Sequence, residues 1–198
     1  MNKNLFNFFE SLEYTLINQI KFIEEIDKLF LKPQTVTIFI RLLAAFSISV
    51  GAVFLNPPYT KGFYGAIVFG TIADFLLLMI LPFILGSLID YFAQTKERPG
   101  RVRLMVVFAD FSCVIYLAFF PMAVIFAELG ILGIGSYVIL LFILTLLYLL
   151  NLSRGAKYIY EMKDRDSTRF VFISFAILSI VPLVFGIFFT SAIFSIIG

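Results

Sequence analysis

Five apolar runs constrain this chain more than any other feature of its sequence. They cover about residues 35–55, 63–88, 104–126, 131–150 and 170–197. A helix needs about 20 apolar residues to cross a hydrocarbon core of about 30 Å. The runs lack the alternation of apolar and polar residues that a barrel strand shows, and they are about twice its length. We therefore predict an all-α, polytopic membrane protein in which residues 35–198 form five transmembrane helices.

Composition agrees with a membrane protein and narrows the possible chemistry. Hydrophobic residues make up 61% of the chain and charged residues 14%, whereas a soluble domain is about half apolar and a quarter charged. The chain has no histidine, the commonest general acid–base group and metal ligand. Cys113 is the only cysteine, so neither a disulfide within the chain nor a cysteine metal cluster is possible. We expect no catalytic residue, no metal, no cofactor and, at a net charge of +2, no nucleic acid.

The basic residues lie almost entirely on one side of the predicted spans. Residues 1–34, the start of the first span and the loops 89–103 and 151–169 hold 14 of the 15 lysines and arginines. The first loop, residues 56–62, holds only Lys61. Because basic loops stay in the cytoplasm, the sequence predicts a cytoplasmic N-terminus and an external C-terminus.

Residues 1–34 are predicted to form a separate amphipathic, cytoplasmic helix. Apolar residues recur there at helical spacing: Leu5, Phe9, Leu12, Leu16, Ile20, Ile23 and Phe30. The helix would end at Pro33. Five acidic residues against four lysines in this segment give little attraction to anionic lipid. Two placements stay open, one on the membrane surface and the other packed on the protein's own cytoplasmic loops or on a partner.

Three charged residues lie inside the predicted spans, where each costs about 2.5–3.5 kcal/mol at a helix centre. Arg41 and Asp110 are each six residues into their span from the cytoplasmic side, about 9 Å deep. Equal depth predicts an ion pair if the first and third spans are neighbours. In the alternative, Arg41 reaches back to the interface and Asp110 is protonated.

Asp74, the third of these residues, has no basic residue at its depth. It lies eleven residues into the second span from the outer side, near the middle of the bilayer. Its carboxyl group is expected to be protonated, to line a watery cavity as in a proton or cation relay, or to be hydrogen-bonded to a hydroxyl such as that of Ser47, Ser49 or Ser179.

Polar groups at the span ends are expected to be solvated or to cap helices. We predict that Asp90 is solvated at the end of the second span. Asp164, Arg165 and Asp166 form a D-x-D sequence, but we interpret these charges as solvated and Asp166-Ser167 as a helix N-cap. Pro82, Pro121 and Pro182 interrupt three spans, and each removes a backbone hydrogen bond.

Three segments together carry a resemblance to a known family. They are "LFLKPQTVTIFIRLL" before and within the first span, "QTKERPGRVRL" leading into the third, and "LLYLLNLSRGAKYIYEMKDRDSTRFVFISFAILSIVPLVF" joining the fourth to the fifth. In this pattern the chain resembles the Yip family of five-span membrane proteins with a cytoplasmic N-terminal segment. The acidic-tyrosine and Asn-Pro motifs of eukaryotic members do not occur before the first span, which points to a prokaryotic member and a bacterial inner membrane.

The resemblance implies a trafficking or membrane-organising role, which eukaryotic members perform in contact with small GTPases of the Rab type. Our main hypothesis is a non-enzymatic protein that organises membrane lipids, a membrane-protein partner or further copies of itself through its cytoplasmic face. The alternative is a small transporter or channel subunit in which Asp74 and Asp110 line the path.

Overall fold

The computed structural model describes residues 10, 13–26, 33–55 and 63–197, the last of these from residue 181 onward by their backbone alone. The described residues are helical, with no strand among them. The helices are α1 (Gln19–Glu25), α2 (Pro33–Leu55), α3 (Phe63–Gln94), α4 (Val102–Ser112), a 3₁₀ segment (Cys113–Ala118), α5 (Phe119–Glu128), α6 (Ile134–Ile159) and α7 (Asp164–Ile197). The predicted apolar positions at 5, 9, 12 and 30 lie outside the described residues.

Within the part of the chain that the structure describes, four stretches are long and apolar enough to cross a membrane, as the first four runs predict. They are Thr35–Leu55, Tyr64–Gln94, Val102–Glu128 and Ile134–Ile159, with mean hydropathies of 2.3, 2.4, 2.0 and 2.2. The chain is therefore helical and of the multi-pass membrane type. Helices α3 and α6 continue past residues 88 and 150, where the apolar runs end. The polar residues of these extensions do not interrupt a helix, because Asp90 and Asn151 make side-chain hydrogen bonds and Arg154 is exposed. The fifth run, from about residue 170 to 197, falls in α7, whose side chains are described only as far as residue 180, and it stays a prediction.

The third stretch, formed by α4, the 3₁₀ segment and α5, lies in the middle of the bundle. It packs against α2, α3 and α6, and α7 packs against α3 and α6. Neighbouring helices approach each other closely at glycine, which has no side chain. A Cβ atom added to Gly86 in α3 would lie 3.1 Å from the Cα atom of Val106 in α4, so these two backbones are almost in contact. In lipid the hydrophobic effect does not drive helices together, so that close packing at small residues stabilises the contact instead.

The middle stretch is broken near its centre for a reason that its sequence supplies. Pro121 has no N–H to donate to the carbonyl of Leu117 four residues earlier. Ser47 of α2 takes that place, because its Oγ donates to the Leu117 carbonyl at 2.9 Å and accepts from the N–H of Phe120 at 3.0 Å. A hydroxyl from the neighbouring helix thus satisfies the backbone where the α-helix gives way to a 3₁₀ segment.

Two predictions at the helix ends are wrong. Helix α7 begins at Asp164, so Ser167 is inside its first turn, buried, with Oγ donating to the Asp164 carbonyl at 3.1 Å. Asp166 and Ser167 therefore lie within the first turn and not at the N-cap, and the carboxylates of Asp164 and Asp166 in that turn favour the helix dipole. Asp90 is also buried rather than solvated, for reasons given below.

Candidate functional site

The end of the bundle at which α3 and α6 end and α4 and α7 begin is called here the basic end, after the basic residues of its loops. Arg41 and Asp110 meet inside the bundle on this side. The Arg41 Nη2 atom lies 3.5 Å from Oδ2 of Asp110, and each residue is 8% exposed. The ion pair expected from their equal depth is therefore formed, since α2 and α4 are neighbours.

Thr37 holds the Arg41 side chain in this position. The Thr37 carbonyl accepts from Nε of Arg41 at 3.2 Å, and its Oγ1 atom accepts from Nη2 at 3.1 Å. Because side chains tilt toward the N-terminus of their helix, a residue one turn earlier is the natural partner. The guanidinium is thus fixed by its own helix on one side and by Asp110 on the other, which is the arrangement of a structural ion pair.

Asp74 takes no part in this pair. It is half-buried on α3 and makes no hydrogen bond to any residue that the structure describes. The three hydroxyls considered as partners bond to main-chain carbonyls instead: Ser47 to Leu117, Ser49 to Ile67 and Ser179 to Phe175. The predicted hydrogen bond from one of these hydroxyls is therefore wrong, because a carbonyl lies within reach of each.

A chain of amide and hydroxyl groups links three helices at the basic end. Asn151 of α6 donates from Nδ2 to the Ser112 Oγ atom of α4 at 2.9 Å, and Ser112 donates to the Phe108 carbonyl at 2.8 Å. Gln19 of α1 donates from Nε2 to Oδ1 of Asn151 at 3.2 Å. All three polar side chains are buried, so Asn151 is satisfied on both sides of its amide.

Helix α1 packs against the membrane helices rather than against loops. Phe22 is 2% exposed, and its ring meets those of Phe108 and Phe111 edge-on, with centroids 5.5 and 5.1 Å apart. The packed face carries Thr15, Gln19, Phe22 and Ile26, whereas Leu16 and Ile20 of the predicted apolar stripe are exposed. The sequence did not reveal this arrangement, because the apolar stripe was the obvious candidate for the packed face.

Asp90 organises a second polar cluster at the basic end. Its Oδ1 atom accepts from the Arg101 N–H and from the Tyr160 hydroxyl, both at 2.7 Å, and its Oδ2 atom accepts from Gln94 Nε2 at 2.6 Å. The Arg101 guanidinium also donates to the Ile159 carbonyl at 2.9 Å. The cluster therefore joins the end of α3, the loop before α4 and the end of α6.

Burial and the bond to Asp90 raise the pKa of Tyr160 well above its ordinary value, although Arg101 acts in the opposite direction. The phenol therefore remains a donor to the carboxylate throughout the neutral range. The sequence offered one signal of this cluster, the spacing of Asp90 and Gln94 by one helical turn. Nothing in the sequence connected Asp90 to Tyr160.

The polar side chains described above form ion pairs and hydrogen bonds between helices. Among the described residues, no three histidine, cysteine, aspartate or glutamate side chains come together as a metal site would require. Cys113 is fully buried within the bundle. No protein-family model, curated protein or solved structure matches the chain. The contacts within the bundle are therefore the basis for assigning a role.

Proposed function

We propose that the chain is a five-span, non-enzymatic membrane protein of the Yip type that organises partners or lipids through its cytoplasmic face. One observation carries this proposal. Arg41, Asp110 and Asn151, the charged and amide groups best placed for chemistry within the spans, are held by other helices. Groups that hold the bundle together in this way are not available to a substrate, whereas the basic end presents many exposed charges.

The length of α7 supports a fifth span. Its 34 residues extend about 51 Å at 1.5 Å per residue, which exceeds the hydrocarbon thickness of about 30 Å. With five spans, the basic end lies in the cytoplasm, residues 1–34 belong to the same side, and the C-terminus is external. A bacterial inner membrane fits this orientation.

The proposed interaction face is the basic end. Its exposed basic residues come from both loops and from the helix turns beside them, and include Arg98, Arg103, Arg154, Lys163, Arg165 and Arg169. Exposed cations on a cytoplasmic surface attract anionic lipid headgroups or an acidic protein surface. The pairs and clusters beneath them make this face rigid, which lowers the entropic cost of binding.

The test is isolation of the full-length protein from its native membrane in mild detergent, followed by measurement of the proteins and lipids that remain bound in near-stoichiometric amounts. We expect a variant with Arg98→Gln, Lys163→Gln and Arg165→Gln to lose this material, and the matched control Asp74→Asn to keep it. A wild-type protein that retains neither protein nor lipid contradicts the proposal.

A second candidate, a small transporter or channel subunit, is favoured by Asp74 alone. This carboxyl group is half-buried and makes no hydrogen bond within the described part of the chain, and it belongs to a bundle whose third stretch is broken. Intramembrane carboxylates of this kind occur on ion and proton pathways. Proton or cation flux in liposomes that Asp74→Asn abolishes, while Ser87→Ala at an exposed hydroxyl leaves it unchanged, would establish this alternative.

A further inference from the structure

The segment around α1 has two faces of different character. One face carries Gln19 and Phe22 and is packed on α4 and α6. The other face presents Leu16, Ile17 and Ile20, which are 39%, 75% and 47% exposed. Three large aliphatic side chains on one short segment leave an apolar surface that nothing within the described chain covers.

The depth at which this segment docks identifies what lies against it. Phe108 follows the start of α4 by six residues, and Asn151 precedes the end of α6 by eight. At 1.5 Å per residue these contacts lie about 9 and 12 Å above the basic end of the helices. The segment is therefore held beside the apolar part of the bundle and above the loops. An interfacial helix buries its apolar face to a depth of about 5–10 Å.

The segment docks beside exposed apolar residues of α6. Leu147 and Leu150, one turn and one residue before Asn151, are 47% and 41% exposed. Because Gln19 is bonded to Asn151, the segment that carries Ile17 and Ile20 is held beside this part of α6.

From these contacts we infer that Leu16, Ile17 and Ile20 rest against the acyl chains of the cytoplasmic leaflet, so that residues 13–26, with α1 among them, form an interfacial strap between lipid and bundle. The occupant is lipid hydrocarbon rather than a charged headgroup, since the exposed charges of the segment include Glu13 and Glu24 as well as Lys21. The strap has a physical purpose: it gives the amide of Asn151 a hydrogen-bond partner at a depth where lipid offers none. This inference rests on the membrane placement in the proposed function.

The experiment uses the full-length protein in phosphatidylcholine liposomes, with an environment-sensitive fluorophore attached at Ile17→Cys. Wild-type protein is the labelling control, because Cys113 is fully buried. Phe142→Cys, at a residue 67% exposed on α6, is the lipid reference, and Lys96→Cys in the exposed loop is the aqueous reference. Quenchers are lipids brominated near the headgroup end of the acyl chain and, separately, aqueous iodide.

We expect the label at position 17 to be blue-shifted, to be quenched by brominated lipid about as strongly as the label at 142, and to be protected from iodide relative to the label at 96. Replacing part of the phosphatidylcholine with anionic lipid should leave this pattern unchanged. Quenching by iodide equal to that at position 96 would overturn the inference. Protection from both quenchers would overturn it too, because a protein surface would then cover the face.

The reference site separates the two proposals. If the label at position 142 is quenched by brominated lipid and the label at 17 is not, the strap fails and the membrane placement stands. If the label at 142 is also unquenched, the membrane placement of the proposed function fails with it. Since Ile17 is 75% exposed, the substitution removes no internal packing contact.

Discussion

The two halves of the bundle solve the problem of buried polar groups differently. Toward the basic end, side chains from separate helices satisfy one another, as in the pair Arg41–Asp110 and the chain from Gln19 through Asn151. Toward the opposite end, polar side chains bond mainly to the backbone, as Ser47 does at the break before Pro121. Among the described residues, the buried charged side chains Arg41, Asp90 and Asp110 each have a partner from another part of the bundle, whereas the half-buried Asp74 has none.

The largest effect should follow from breaking the pair at the basic end. Asp110→Asn leaves the Arg41 guanidinium buried without its counter-charge, which should lower the free energy of unfolding by about 3–5 kcal/mol. The double variant Arg41→Leu with Asp110→Leu should lose less than either single neutralisation, because no unpaired charge remains. The free energies of unfolding of the single and double variants are measured on the detergent-solubilised proteins.

The matched control is Asp74→Asn, which breaks no hydrogen bond within the described chain and should change the unfolding free energy by less than about 1 kcal/mol. If the losses at Arg41 and Asp110 add, or if Asp74→Asn costs as much as Asp110→Asn, then the contrast between the two carboxylates is wrong.

The next largest effect is expected at the Asp90 cluster, which the sequence did not predict. Asp90→Ala removes the acceptor of the Tyr160 hydroxyl and of the Arg101 N–H, and each buried donor left unsatisfied costs about 1–3 kcal/mol. Tyr160→Phe, which removes one donor and keeps the ring, should cost less than Asp90→Ala. Limited proteolysis should cleave the loop 95–101 fastest in Asp90→Ala, more slowly in Tyr160→Phe and most slowly in wild type. Equal resistance of Asp90→Ala and wild type would show that the cluster does not hold the loop.

A smaller effect is expected in the opposite half. Ser47→Ala removes the hydroxyl that bonds to both the Leu117 carbonyl and the Phe120 N–H, and should cost about 1–2 kcal/mol. In a Pro121→Ala background, residue 121 can donate to the Leu117 carbonyl itself, so Ser47→Ala should cost less there. A double-mutant cycle measures the coupling. Ser87→Ala, at an exposed hydroxyl bonded within its own helix, is the control, and a coupling of zero would refute the compensation.

The smallest effect depends on pH. Because the folded protein raises the pKa of Tyr160, this group contributes stability below its ordinary pKa of about 10. That contribution is lost at higher pH, since the unfolded chain releases the proton first. The fall in stability above about pH 10 should therefore be shallower in Tyr160→Phe than in wild type. Tyr91→Phe, at an exposed tyrosine, serves as the control, and identical slopes for all three proteins would contradict this role.

Periodicity and depth anticipated part of the candidate site. The equal depth of Arg41 and Asp110 is a property of helix rise, so the pair needed only the contact between α2 and α4 to form. Asp90 could not be assigned in this way, because its partners come from three separate places along the chain. The packed face of α1 could not be predicted from the sequence either. Gln19 and Phe22 are buried because they contact Asn151 and the rings of Phe108 and Phe111, which lie far away along the chain.

The sequence by itself determined that this chain is helical and suited to lipid, since long apolar runs have only the helix as a way to satisfy their backbone in hydrocarbon. It also determined where single backbone hydrogen bonds must be missing, because Pro82, Pro121 and Pro182 lack a donor. The tertiary structure decided which polar groups are satisfied and by whom: Asp110 by Arg41, Asn151 by Gln19, and the Leu117 carbonyl by Ser47. The physical reason is that hydrogen bonds between helices depend on which helices are neighbours, and apolar runs that all suit lipid equally well do not specify their neighbours.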